Sequence, residues 1–183
     1  MSHKYKFRNP EGIYFITFSV VGWVDVFTRD IYRNIFVDSL NWSVINKGLI
    51  VYAWVLMTNH VHMIVSRRGN QNLSDIFRDI KKFTSVRIIN AIKYNANESR
   101  KSWMLKIFSE SGIKNSQNMK YQFWQNGNHP IELDNNKITE QKLNYIHNNP
   151  VIHGFSNEKE GYNWSSAMDY CGVKGIVEIE LLW

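Results

Sequence analysis

The sequence predicts an α+β fold in which an antiparallel sheet carries helices on one face and leaves the other face for a ligand. Three observations predict it. Runs of β-branched and aromatic residues at Ile13–Val21, Leu49–Met57 and Val61–Ser66 read as strands. The second and third of these are separated by a short connection containing Thr58-Asn59, residues that tolerate a tight turn, which makes them an antiparallel hairpin. Stretches of helical periodicity fall between the strands and not in a block of their own, which is the order of a layered sheet with packed helices.

Each element has its own justification. Glu11-Gly12 and Gly22 bound the first strand. From Asp30 to about Lys47, Ile31, Ile35, Val37, Leu40, Val44 and Ile45 recur near helical spacing, and Lys47-Gly48 supplies a C-terminal stop. The hairpin follows. Asn72 to about Ile92 places Leu73, Ile76, Phe77, Ile80 and Phe83 on one stripe of a second, basic-flanked helix. Residues 95–120 turn polar around the short apolar WMLKIF, so an insertion with at least one mobile loop is expected. Tyr121–Leu133 reads as an irregular edge strand, because Pro130 would interrupt a central one. A third helix is expected from Thr139 as N-cap, with Ile138 and Leu143 as a hydrophobic staple, to about Asn149 before Pro150. A short strand is expected at Ile176–Leu181.

The length of 183 residues suits one domain, with a core over about 13–150, the insertion at about 95–120 and a tail over 151–183. An apolar content of 44% supplies a core and excludes wholesale disorder. The single cysteine, Cys171, excludes an internal disulfide framework, and no run reaches the length of a membrane helix. The opening MSHKYKFRNPEG holds no apolar secretory stretch, so the expected compartment is the cytoplasm, with no membrane partner. Twenty-two Lys and Arg against sixteen Asp and Glu leave +6, a balance that favours a polyanionic partner.

The densest chemistry lies in Met57-Thr58-Asn59-His60-Val61-His62. Strand alternation sends His60 and His62 to one face, where two imidazoles can converge on a cation. A bare His-x-His specifies nothing alone. On the third helix Tyr145 and Asn149 lie four apart and share a face with Lys142, while Leu143 and Ile146 turn to the core. A phenol is a covalent nucleophile only when a metal, base or cation helps it, since its ordinary pKa is about 10. The Asn149 amide oxygen is a suitable third ligand, and imidazole with amide is compatible with Mg²⁺ or Mn²⁺. Arg67, Arg68, Arg78, Lys81, Lys82 and Arg87 cluster around the second helix as candidate phosphate contacts, with a solvated helix face as the alternative, and Lys142 on the third helix is a further candidate DNA contact. Trp23, Trp124 and Trp164 are candidates for stacking on unpaired bases. His147, two residues after Tyr145, faces away from it and reads as structural.

MTNHVHMIV paired with the downstream YIHNNPV, together with FWQNG and YNWSSA, resembles the single-tyrosine (Y1) HUH transposases, and more narrowly the REP-associated tyrosine transposases related to the IS200/IS605 family. The resemblance runs from about Tyr14 to Tyr170. It implies a ferredoxin-like (RRM-like) sheet carrying His60 and His62 as metal ligands, Asn149 as third ligand, Tyr145 as nucleophile, and a divalent metal, Mg²⁺ or Mn²⁺. It further implies cutting of single-stranded DNA at imperfect hairpins through a 5′-phosphotyrosine with a free 3′ hydroxyl, in the bacterial cytoplasm at the nucleoid, by a homodimer or a monomer. The segment Gly127-Asn128-His129-Pro130 departs from the Gly-Phe-His-Asp-like pattern of that family. The alternatives are a domesticated hairpin DNA or RNA binder that does not cut, and a two-histidine phosphodiesterase. The latter needs a second His-x-Thr or His-x-Ser, which the chain does not contain.

Overall fold

A computed structural model describes residues 6–115 and 120–183. Residues 116–119 of the expected insertion lie outside the described residues. The elements run β1 (Tyr14–Ser19), α1 (Asp30–Lys47), β2 (Leu49–Leu56), β3 (His60–Arg67), α2 (Leu73–Tyr94), α3 (Lys101–Ile113), β4 (Ile131–Glu132) and α4 (Asn136–Ile152). The sheet order is β2-β3-β1-β4, with every pair antiparallel. This is the expected α+β class with a ferredoxin-like strand order.

Alternation divides the sheet into two faces. Tyr14, Ile16 and Phe18 of β1 and Val61, Met63 and Val65 of β3 join the core under α1 and α2. Phe15, Ala53, Val55 and Ile64 point the other way, into a second cluster with Leu143 and Ile146 of α4. A bulge between Val51 and Ala53 explains why Leu49 and Val51, and then Trp54 and Leu56, face the same helices despite the odd spacing. Thus α1 and α2 cover one face, and α4 crosses part of the other.

The apolar stripes are shifted from the sequence reading. α1 buries Tyr32, Phe36, Val37 and Leu40, whereas Ile31 and Ile45 are exposed. α2 buries Leu73, Ile76, Phe77 and Ile80 as expected, but continues through Thr84 and Ile88 and leaves Phe83 exposed. Gly48 closes α1 at φ 68, where a Cβ would meet the Arg68 carbonyl oxygen at 2.2 Å.

Several expectations are corrected. The polar 95–120 stretch contains a helix, α3, because Met104, Phe108 and Gly112 recur every four residues and bury one side. α4 starts earlier than Thr139, since the Asn135 side chain accepts from the Ile138 N–H at 2.9 Å, while Thr139 donates back to the Asn135 carbonyl. It also runs through Pro150 to Ile152, because the proline sits in the last turn, where a single missing donor leaves the helix intact. No strand forms at 176–181: that segment makes one bond to the β2 edge, Glu180 N–H to the Val51 carbonyl at 2.9 Å. Of the expected edge strand, Ile131–Glu132 forms β4 against β1, and the rest follows the same edge irregularly, through an antiparallel bridge of Trp124 with Val20 and bonds of Gln125 N–H to the Ser19 carbonyl and of Thr17 N–H to the Asn128 carbonyl. Among the described residues no helix is long and apolar enough to cross a membrane.

Candidate active site

The site begins with strand register. β1 opposes β3 so that Thr17 faces His62 and Ser19 faces His60. Thr17 Oγ1 therefore lies 2.7 Å from His62 Nδ1. The Thr58-Asn59 turn is held by Asp25, whose Oδ1 accepts from Thr58 Oγ1 at 2.6 Å and Asn59 Nδ2 at 2.8 Å. With its amide nitrogen committed to a carboxylate, Asn59 offers only Oδ1 to His60, 2.7 Å from Nδ1. His60 is then the donor at Nδ1 and keeps its Nε2 lone pair, the tautomer a metal ligand requires.

α4 brings the phenol. Leu143 and Ile146 anchor the helix in the second cluster, and Tyr145, 43% exposed, places its hydroxyl 3.3 Å from His62 Nε2. Lys142 sits over the Phe15 and Tyr145 rings at 4.7 and 5.8 Å. One turn on, Asn149 is buried, and its Oδ1 has no hydrogen-bond partner among the described residues. The rings form a row: Trp23 to His60 6.1 Å, His60 to His62 4.7 Å, His62 to Tyr145 5.0 Å.

Burial, with His153 adding to it, pushes His60 down to about 4. Burial, His60 and Lys142 push His62 down to about 3. Both imidazoles are neutral at physiological pH, as ligation requires. Among the described residues no three His, Cys, Asp or Glu side chains gather as a metal cluster. The donor types present are instead two neutral imidazoles, their rings 4.7 Å apart, and, on α4 one turn beyond Tyr145, an orphaned buried amide oxygen, and these donor types suit a divalent ion.

The other expected residues scatter. Arg67 and Arg68 lie at the far end of β3, bonded to Glu11 and Glu180. Arg78 pairs with Asp75 and Asp79 on α2, on the helical side of the sheet. Lys82 and Arg87 line a groove of about 690 Å³ between α1 and α2, also on that side. Lys81 is turned inward and donates to Gln125 O, Gly127 O and Asn128 Oδ1 at 2.7–3.1 Å, so it ties down the loop beside β1. Of the expected phosphate contacts, only Lys142 stands beside the histidines and tyrosine. Trp124 is buried and bonds Thr84, while Trp164 packs under Arg33. His147 Nε2 lies 3.0 Å from Ser166 Oγ, which also accepts from Trp54 N–H. It is buried beneath the tail, as its reading as structural requires.

Sequence reasoning missed Thr17 and Asp25. Thr17 depends on the β1–β3 register, and Asp25 on a loop path; neither leaves a local pattern. The Asn59 amide, adjacent to His60, is the one outer partner that spacing alone points to.

Residues 24–111 match the family model described as "Transposase IS200 like", a stretch that includes both histidines and ends before Tyr145. A solved structure described as a REP-associated tyrosine transposase bound to a REP hairpin superposes with a TM-score of 0.63 at 18% identity, covering 100% of this chain and 94% of that one. The chain has the fold of an IS200-like Y1 transposase. A crystal structure of a candidate transposase from Deinococcus radiodurans R1 has a TM-score of 0.42 at 15% identity, covering 80% of this chain and 97% of that one. No curated protein is significantly similar. The sheet face that α4 crosses is the face bearing His62.

Proposed function

We propose that the protein is a metal-dependent single-stranded DNA endonuclease and strand transferase that uses Tyr145 as its nucleophile and acts beside hairpins of the REP type. The observation that carries this reading is the 3.3 Å approach of the Tyr145 hydroxyl to His62, side chains 83 residues apart that two separate elements bring onto one face. The solved relative bound to a REP hairpin supports the choice of partner.

In the reaction, Tyr145 Oη attacks the scissile phosphorus, a P–Oη bond forms and the P–O3′ bond breaks. The phenolic proton leaves to solvent and the departing O3′ is protonated to a free hydroxyl. Attack of a 3′ hydroxyl on the phosphotyrosine reverses the step and rejoins the strand without ATP. A divalent ion, Mg²⁺ or Mn²⁺, held by His60, His62 and Asn149 Oδ1, would polarise the phosphate and offset charge on the leaving oxygen. The Lys142 ammonium is placed to meet a phosphate oxygen at the tyrosine end.

The test is incubation of the full chain with labelled single strands carrying hairpins from the DNA flanking its gene, with Mn²⁺ or Mg²⁺, resolved on denaturing gels. A covalent adduct is expected, absent with chelator and in Tyr145→Phe, while Tyr145→Phe still binds the DNA. Binding without any adduct in the wild type would overturn strand transfer in favour of a hairpin binder that does not cut.

A further inference from the structure

We propose that Trp23 is the platform on which the base of the nucleotide 5′ to the scissile phosphate stacks; this rests on the strand-transfer reading above. The indole is 58% exposed at the edge of the site. Its neighbours Val21 and Val24 are buried, so the turn is anchored on both sides while the ring is held out. The backbone accepts strain to do this: Gly22 at φ 64 is followed by Trp23 at φ 54, a left-handed conformation that costs a bulky residue free energy. The Trp23 carbonyl accepts from Asn59 Nδ2 at 3.3 Å, which ties the turn to the residue that orients His60. A ring meant for the core would have no need of such a turn.

Direction follows from the order of the rings. Tyr145 stands at one end of the row and Trp23 at the other, with His60 and His62 between them. An in-line displacement puts the attacking and leaving oxygens on opposite sides of the phosphorus. With the attack coming from the Tyr145 end, O3′ departs toward the Trp23 end. The nucleotide that carries O3′ therefore reaches the indole, which meets His60 edge-on at 72° and keeps ring surface open to solvent. Stacking tolerates any base, so Trp23 contributes affinity and placement with little sequence readout.

The experiment measures binding of a hairpin-bearing single strand to the full chain in chelator, by fluorescence anisotropy, alongside adduct formation with Mn²⁺. Trp23→Ala is expected to weaken binding about tenfold, within the about 5- to 150-fold range that one stacked base supports, while Trp23→Phe retains most of it. An abasic residue 5′ to the cleavage point should weaken wild-type binding by a similar factor and the alanine variant hardly at all. An abasic residue on the 3′ side should affect both proteins equally. In adduct formation with Mn²⁺, the half-saturating DNA concentration of Trp23→Ala should rise by a factor similar to its loss of binding. Equal losses in wild type and Trp23→Ala from the 5′ abasic strand, or coupling to the 3′ nucleotide instead, overturns the proposal. If wild type forms the adduct and Trp23→Ala binds as well as it does, this inference alone fails; if wild type forms no adduct, the strand-transfer reading has failed first.

Discussion

Asn149 offers the sharpest separation of stability from function. Its Oδ1 is buried with no partner among the described residues, and an unmatched buried acceptor costs about 1–3 kcal/mol. Leucine has the same branched outline without the polar atoms. Asn149→Leu should therefore stabilise the metal-free protein by about 1–2 kcal/mol, a rise in Tm of about 2–8 °C for a chain of this size. The opposite holds once a cation is supplied. If Asn149 Oδ1 completes the site with His60 and His62, free Mn²⁺ at about 100 times its Kd stabilises wild type by about 2.7 kcal/mol and the variant by much less. The ranking of the two proteins should then invert between chelator and Mn²⁺. Thermal unfolding of both, in each buffer, is the assay. A variant less stable than wild type in chelator would show that the amide is satisfied in the folded protein, and a variant with the full Mn²⁺ shift would remove Asn149 from the site.

Two further predictions concern titration and the support of the site. Burial, with Lys159 adding to it, pushes His147 down to about 4, so its contribution is fully present above the ordinary histidine range and is lost as pH falls from about 6.5 toward 4. About 2 kcal/mol should be gone by pH 5, and His147→Gln should lose about that much less between pH 7.5 and 5.0 in urea unfolding with chelator; equal losses would refute the assignment. Burial pushes the Glu98 carboxyl up, but hydrogen bonds from Arg100 and Tyr32 outweigh it and hold the group at about 2, so its stabilisation is present above about 4.5 and disappears as pH falls toward 2. Glu98→Gln should cost about 2–3 kcal/mol, below the 3–5 of a fully buried pair because Arg29 and Arg100 keep some solvent, and should flatten the stability profile in that acid window. An unchanged acid profile would show the carboxylate is not the group responsible.

What the sequence makes legible divides along physical lines. β1, the β2–β3 hairpin and both long helices follow from alternation, turn residues and helical period, all local properties. The helix phases went astray where aromatic residues replaced aliphatic ones: Tyr32 and Phe36 are the buried positions of α1, and Ile31 and Ile45 are left outside. α3 was hidden because only three small or apolar positions define its packed side within a polar stretch. At the site, His60, His62, Tyr145 and Asn149 came from motif and spacing; the fold sets the Tyr145 hydroxyl 3.3 Å from His62 and buries Asn149 one turn further along α4. Thr17, Asp25 and the separation of the Arg67–Arg87 cations from the histidines depend on register and on which face a helix covers, and neither is written in a short window of sequence.

The tail gives the YNWSSA segment a physical meaning. The distance between Tyr145 and the histidines is set by where α4 lies, and α4 packs on part of one face of the sheet. Tyr162 donates to the Leu56 carbonyl at 2.8 Å, Ser166 accepts from Trp54 N–H at 2.9 Å, and the same Ser166 hydroxyl lies 3.0 Å from His147 on α4. The outer edge of β2, along which Trp164–Ser166 pairs, is thus joined through one hydroxyl to the buried side of the helix that carries Tyr145. His147 and Tyr145 are two residues apart and face in different directions, one fastened to the tail and the other turned to His62. A helix pinned on its buried side by a hydrogen bond holds its exposed side at a fixed distance from the sheet. That is how a tyrosine 83 residues downstream of His62 comes to lie 3.3 Å from it.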